Sequence, residues 1–151
     1  MVQPTAHKFL FEDTFTIKSV DNSRFERAGR INCNSEDFGE NTLELDINNN
    51  IWPVSSGEKI FVALTDNVSP SAGRQLNNAY DHDERILGPS VMDEFEYVMF
   101  GKVYKKEDVK AKNTATVFAS YGGLLMKLKS NSVLLQELHM GDSLYLLIRK
   151  V

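Results

Sequence analysis

Apolar and polar side chains alternate along most of this chain with a period of two, which is the spacing of β-strands. Residues 42–48 show it most clearly, because Leu43, Leu45 and Ile47 share one face and the polar residues between them share the other. The pattern predicts a strand there, with its apolar side chains directed inward. Similar runs predict eight strands in all, at 14–20, 24–34, 42–48, 59–65, 94–104, 114–121, 124–130 and 143–151.

Most connections between these runs are short and rich in turn residues, so consecutive strands are expected to be antiparallel. Asp21, Asn22 and Ser23, for example, predict a hairpin over 14–34. Short strands at regular spacing, without helical crossovers, predict an all-β domain that forms a sandwich or a closed barrel.

Two segments break the alternation. Residues 131–141 predict one short helix, with Asn131 or Ser132 as its N-cap and Gly141 at its end. Residues 67–91 hold prolines, glycines and asparagines without a sustained period of either kind, so they predict one long surface loop.

The bulk composition fits one globular domain, taken here as residues 1–151. Apolar residues make up 42% of the chain and charged residues 25%, and the net charge is −4. The single cysteine, Cys33, excludes an intrachain disulfide. No apolar run approaches about 18 residues, and no secretory-type apolar segment begins the chain. These features predict a soluble intracellular protein.

Gly122 and Gly123 stand between two apolar runs and have two possible meanings. A phosphate-binding loop needs a helix after its glycines and, in a P-loop, a lysine followed by serine or threonine. Here apolar residues alternating with lysines follow, which indicates a strand. The pair therefore predicts a sharp bend or bulge between strands. Because glycine has no Cβ, contact with a partner at the same place stays open.

No group of residues carries a strong catalytic signal. The acidic run at 81–84 lies in the predicted loop, where nothing would hold its side chains around one ion. Glu94 and Glu96 are expected on the outer face of a strand, and Cys33 is expected to pack in a strand without a nearby base. The sequence therefore predicts no catalytic residue, no metal site and no cofactor.

A cluster of lysines raises the possibility of nucleic-acid binding, since small β-barrels can bind single strands through basic grooves with exposed aromatic residues. Lys102, Lys105 and Lys106 are the candidates for such contacts. Over residues 93–112, however, the lysines are matched by an equal number of acidic residues. Binding to a single strand is therefore expected to be weak and sensitive to salt.

Several segments together resemble one known family. They read EFEYVMFGKVYK at 94–105, SYGGLLMKL at 120–128 and YLLIRK at 145–150, with LFEDTF and LELDINNNIWPV in the same order before them. The chain is similar over about 9–150 to the small common subunit of the three eukaryotic nuclear RNA polymerases, the eighth by size order. This resemblance is far more specific than any single glycine motif.

The resemblance implies an antiparallel β-barrel of about eight strands, made of two OB-like Greek-key halves. It also implies a non-catalytic subunit of RNA polymerases I, II and III that docks on the largest subunit and supports assembly and transcription. The expected location is the nucleus, including the nucleolus, and weak binding of single-stranded nucleic acid is an associated property. The alternative is a stand-alone OB-type module that binds single strands.

The aromatic residues of the second half indicate where docking is expected. Both faces of residues 95–100 are bulky, so one face can fill a barrel while the other needs cover. That cover can be a partner subunit or the chain's own loop or helix. The predicted docking residues are Tyr97, Phe100, Tyr104, Tyr121, Gly122 and Gly123.

Overall fold

The computed structural model of the chain describes residues 9–22, 28–35, 41–66 and 94–151. Its strands match the alternating runs closely, and three of them have the predicted bounds. The eight strands are β1 Phe11–Asp21, β2 Ala28–Ser35, β3 Thr42–Asn48, β4 Lys59–Thr65, β5 Tyr97–Val109, β6 Thr114–Tyr121, β7 Leu124–Asn131 and β8 Ser143–Lys150. A single 3-10 turn, Lys110–Lys112, follows β5.

The strands close into one barrel in the order β1-β2-β3-β7-β6-β5-β8-β4, and every neighbouring pair is antiparallel. Each half is a four-stranded Greek key, because β4 returns beside β1 and β8 returns beside β5. The halves join where β3 pairs with β7 and where β4 pairs with β8. The predicted eight-stranded antiparallel barrel with Greek-key halves is confirmed.

Alternate side chains of every strand fill the barrel interior. Leu43, Leu45 and Ile47 of β3 are almost fully buried, as predicted. One end of the barrel is covered by Trp52, which stacks on Tyr97 at a ring-centroid distance of 5.3 Å. Closure leaves no sheet edge along the paired strands, so the barrel offers no template for strand addition there.

Gly122 and Gly123 form the two-residue turn of the hairpin between β6 and β7, where Tyr121 pairs with Leu124. Their φ angles are +66° and +101°. A two-residue hairpin turn with two positive φ angles matches the right-handed twist of the strands, and glycine adopts these angles without strain. The predicted bend is therefore a tight hairpin turn rather than a bulge.

The helix predicted over 131–141 is wrong. Successive turns with three i→i+3 backbone hydrogen bonds occupy the segment, and they place Leu135 and Leu138 on the side that packs against the barrel. Lys106 fixes the segment further, because its Nζ donates to the Leu135 carbonyl at 3.0 Å. The helix-cap signals are local, whereas these contacts with the barrel decide the conformation.

The predicted loop at 67–91 and the acidic run at 81–84 lie outside the described residues, as does most of the turn between β1 and β2. The fifth strand starts at Tyr97 rather than at residue 94, so Glu94 and Glu96 precede it. Among the described residues, no helix is both long and apolar enough to cross a membrane.

Candidate functional site: the outer face around strand β5

Strand β5 is thirteen residues long because it pairs first with β8 and then with β6. Its outer face carries two large apolar side chains that the barrel does not cover. Phe100 is 54% exposed and Tyr104 is 48% exposed. Phe100 packs on Tyr145 of β8 at 4.7 Å, and Tyr104 lies 6.1 Å from Phe118 of β6. An aromatic surface therefore extends over β8, β5 and β6.

An irregularity in β5 explains why Lys105 points outward together with Tyr104. Val103 pairs with Ala119, but the next pair joins Lys105 to Phe118, which leaves Tyr104 as the extra residue of a β-bulge. Val103 is buried, while Tyr104 and Lys105 are both exposed. The bulge thus places two consecutive side chains on the surface, which strict alternation would forbid.

Gly101 allows β5 to run very close to β6. A Cβ built at this position would overlap the carbonyl oxygen of Ser120. No other residue type fits there without movement of the backbone, so Gly101 fixes the course of β5 between Phe100 and Tyr104.

Tyr97 and Tyr121 are almost fully buried, with 6% and 4% exposure. The Tyr97 hydroxyl accepts a hydrogen bond from the backbone N–H of Asn48 at 2.9 Å, and burial raises the pKa of Tyr97 against the opposing effect of that bond. The Tyr121 hydroxyl points to the sulfur of Met126 at 3.8 Å, and burial raises its pKa strongly. Both side chains support the barrel wall from inside.

The Gly122–Gly123 turn is exposed, and the space around it is open. A Cβ built on either glycine meets no atom within 4 Å. Gly123 N–H lies 3.3 Å from the Ser120 hydroxyl oxygen. Of the six predicted docking residues, four therefore lie on the surface and two lie beneath it.

A shallow groove of about 130 Å³ opens beside Tyr104. This volume is smaller than the several hundred Å³ of a typical small-molecule site. The lining residues are Arg30, Glu44, Tyr104, Phe118, Leu125, Met126 and Lys127.

Asp46 holds the wall of this groove together, and the sequence alone did not single it out. Alternation placed Asp46 outward, yet it is only 2% exposed. Its carboxylate accepts hydrogen bonds from Arg30 Nε at 2.7 Å and Arg30 Nη2 at 3.1 Å, and from the backbone N–H of Leu125 at 3.0 Å. The hydrogen bond with Asp46 raises the pKa of Arg30 above its ordinary value. One side chain thus connects β2, β3 and β7.

The three candidate lysines differ in their surroundings. Lys105 Nζ lies 3.0 Å from a Glu107 carboxylate oxygen and 5.1 Å from the centre of the Phe118 ring. Lys106 is engaged by the Leu135 carbonyl, whereas Lys102 is exposed at the junction of β5 with β6 and β8. Positive charge is present here, but Glu107 neutralises part of it.

The other candidates for chemistry are structural residues. Cys33 lies inside the barrel, and burial raises its pKa to about 12, so almost no reactive thiolate is present at neutral pH. Glu96 accepts hydrogen bonds from Trp52 Nε1 at 3.1 Å and from the backbone N–H of Lys150 at 3.2 Å. In the described part of the chain, no three histidine, cysteine or acidic side chains are grouped so as to hold a metal ion.

Comparison with known proteins places this barrel in a family. The family model described as RNA polymerase Rpb8 matches residues 12–150. This range contains the whole barrel except Phe11, the first residue of β1. The chain is 34% identical over 143 residues to the DNA-directed RNA polymerases I, II, and III subunit rpabc3 of Dictyostelium discoideum, with 93% of this chain and 96% of the relative covered. It is 33% identical over 145 residues to subunit RPABC3 of Saccharomyces cerevisiae, with 93% and 97% covered. The chain therefore belongs to the RNA polymerase Rpb8 family.

Proposed function

We propose that this protein is a non-catalytic common subunit of the nuclear DNA-directed RNA polymerases I, II and III. The family match over residues 12–150 carries this proposal, since the relatives named above are subunits of all three enzymes. The protein then works in the nucleus, and in the nucleolus where polymerase I is active.

The finer proposal is that the chain docks on the largest polymerase subunit through the outer face around β5. Phe100 and Tyr104 are large apolar side chains in the open, and aromatic anchors of this kind dominate stable protein interfaces. The small groove beside Tyr104 offers a recess for a partner side chain, and the Gly122–Gly123 turn lets a partner backbone approach. Tyr97 and Tyr121 stiffen this surface from beneath.

Gly123→Arg tests the docking surface, with Gly57→Arg as a matched control. Both glycines have strongly positive φ angles, +101° and +93°, and both face open space. The two substitutions therefore carry a similar backbone cost of about 1–2 kcal/mol. Gly57 belongs to the turn before β4, which bonds to β1, whereas Gly123 joins β6 to β7.

Co-purification of the tagged chain with the largest polymerase subunit, quantified at moderate salt, should fall for the Gly123 variant and stay near wild type for the Gly57 variant. Thermal midpoints of the two isolated variants should decrease by similar amounts. An equal loss of co-purification in both would assign Gly123 to folding alone and reject the docking surface.

Binding of single-stranded nucleic acid is the second candidate function, and one contact favours it. The Phe118 ring has Lys105 Nζ at 5.1 Å and Lys127 Nζ at 6.0 Å, with Tyr104 beside it. A stacking ring between two cations is the arrangement that single-strand-binding barrels use. Fluorescence anisotropy with a labelled oligonucleotide should then show micromolar affinity that falls steeply with salt and weakens in Lys105→Gln and Lys106→Gln. No binding at low salt would reject this function.

A further inference from the structure

A second feature of the outer surface lies on β8, away from the groove. Arg149 pairs across the sheet with Phe61 of β4, and the side chain of Phe95 comes in from the other side, just before β5. The Phe61 and Phe95 rings are nearly parallel, with an interplanar angle of 18° and centroids 6.1 Å apart. The Arg149 guanidinium carbon lies 4.8 Å from one centroid and 5.3 Å from the other, so the cation covers both rings.

This arrangement orients the Arg149 guanidinium but leaves its N–H donors without hydrogen-bond acceptors among the described residues. Stacking on aromatic faces holds the planar group in place but uses none of its five N–H donors. Within residues 9–22, 28–35, 41–66 and 94–151, no hydrogen bond or ion pair reaches this guanidinium. Arg149 and both phenylalanines are partly exposed, so the donors are accessible from outside.

The neighbouring cation, Lys150, already has a hydrogen-bond acceptor and a carboxylate partner. Lys150 Nζ donates to the Pro53 carbonyl at 2.8 Å and lies 3.5 Å from a Glu58 carboxylate oxygen. Arg30, on the far side of the barrel, is likewise paired with Asp46. Among the described residues, Arg149 therefore offers a pre-oriented guanidinium whose N–H donors are not used within the sheet.

We infer that Arg149, held over Phe61 and Phe95, receives a single carboxylate of a partner subunit in a paired hydrogen-bonding contact. A rigid guanidinium fork matches the two oxygens of an aspartate or glutamate side chain. A nucleic-acid backbone fits less well, because it needs several cations along its path, and the next cation, Lys150, already has Glu58 and Glu96 beside it. The inference rests on the proposed subunit role, but it concerns a contact separate from the face around β5.

Carbodiimide coupling in the purified polymerase tests this contact. The reagent joins a lysine amine to a carboxylate that touches it, so R149K converts the contact into a covalent link that peptide mass spectrometry can locate. The expected product joins position 149 to an aspartate or glutamate of another subunit. Coupling of Lys150 to Glu58 within the chain, as their 3.5 Å separation predicts, serves as the internal positive control.

Dissociation supplies the second measurement. R149M keeps an unbranched apolar side chain over the two rings and removes the charge, so the isolated variant should keep its thermal midpoint. Its loss from immobilised polymerase at moderate salt should be about tenfold faster than for wild type. Lys18→Met, a control that removes an exposed cation from β1 and lies away from the face around β5, should leave that rate nearly unchanged.

Each outcome decides a different point. Coupling of position 149 only to acidic residues of its own chain, or no coupling while the Lys150 control reacts, would overturn the inference and leave the subunit role intact. Weaker oligonucleotide binding by R149M together with unchanged dissociation from polymerase would assign the cation to nucleic acid and overturn it too. Failure of the wild-type chain to co-purify with polymerase would overturn both proposals.

Discussion

Replacement of Asp46 by asparagine should destabilise the barrel more than its place on the outward-facing side of β3 suggests. The substitution keeps the shape of the side chain but removes its charge and one acceptor oxygen. Arg30, whose side chain is 23% exposed, then loses its charged partner, and either Arg30 Nε at 2.7 Å or the Leu125 N–H at 3.0 Å faces an amide donor instead of an acceptor. Breaking a fully buried ion pair costs about 3–5 kcal/mol, and the partial exposure of Arg30 reduces this to about 2–3 kcal/mol.

The free energy of unfolding in urea, measured on the isolated chain, gives this number directly. A loss of that size corresponds to a decrease in thermal midpoint of about 5–10 °C for a chain of this length. Glu44→Gln, on the same strand and more exposed, should cost less than about 0.5 kcal/mol. In a double-mutant cycle with Arg30→Met, the coupling between the two positions should exceed about 1 kcal/mol. A D46N variant within about 0.5 kcal/mol of wild type would refute the idea that this carboxylate fastens the junction of the two halves.

Three further predictions concern the interior and the backbone. Gly101→Ala should lower the free energy of unfolding by at least about 2 kcal/mol, because its Cβ would overlap the Ser120 carbonyl oxygen, whereas Gly57→Ala should cost only about 1 kcal/mol; urea titrations compare them. Trp52→Phe should lower the free energy of unfolding by about 1–2 kcal/mol, because the hydrogen bond to Glu96 is lost. Trp52 is the only tryptophan of the chain, so the fluorescence emission of the wild type should shift to longer wavelength as urea unfolds it. The pKa of Cys33 rises from 9.0 in the unfolded chain to about 12 in the folded chain, so above pH 9 the native state binds more protons than the unfolded state. The free energy of unfolding should therefore fall as pH rises above 9, by at most about 1.4 kcal/mol per pH unit. Cys33→Ala should show a shallower decline between pH 8 and 10.

Alternation was enough to find the strands because each strand of the barrel has one face against the core. Leu43 and Ile47 reveal their orientation by spacing alone, and the buried faces of β6 and β7 follow in the same way. The hairpin at Gly122 was also readable, since few residues other than glycine adopt its backbone angles. The sequence therefore predicts an element correctly when its apolar spacing or its turn residues alone determine its conformation and its buried face.

The rest depends on partners that are distant along the chain. Asp46 is covered by Arg30 and by the backbone of Leu125, which is 79 residues away in sequence. Alternation along a strand shows that a side chain points outward, but it does not show which distant residues cover that side chain. The turns of 131–141 arise for the same reason, because contacts with the barrel override helix-cap signals. Parity put Tyr97 and Phe100 on opposite faces of one strand but did not say which face is inside. The structure packs Tyr97 against Trp52 and leaves Phe100 in the open.

The way in which the two Greek keys meet bears on the origin of the barrel. Third strand pairs with third strand and fourth with fourth, and each pairing is antiparallel, as between the two copies of a symmetric dimer. An ancestor of half this length would close the same cylinder by associating with itself.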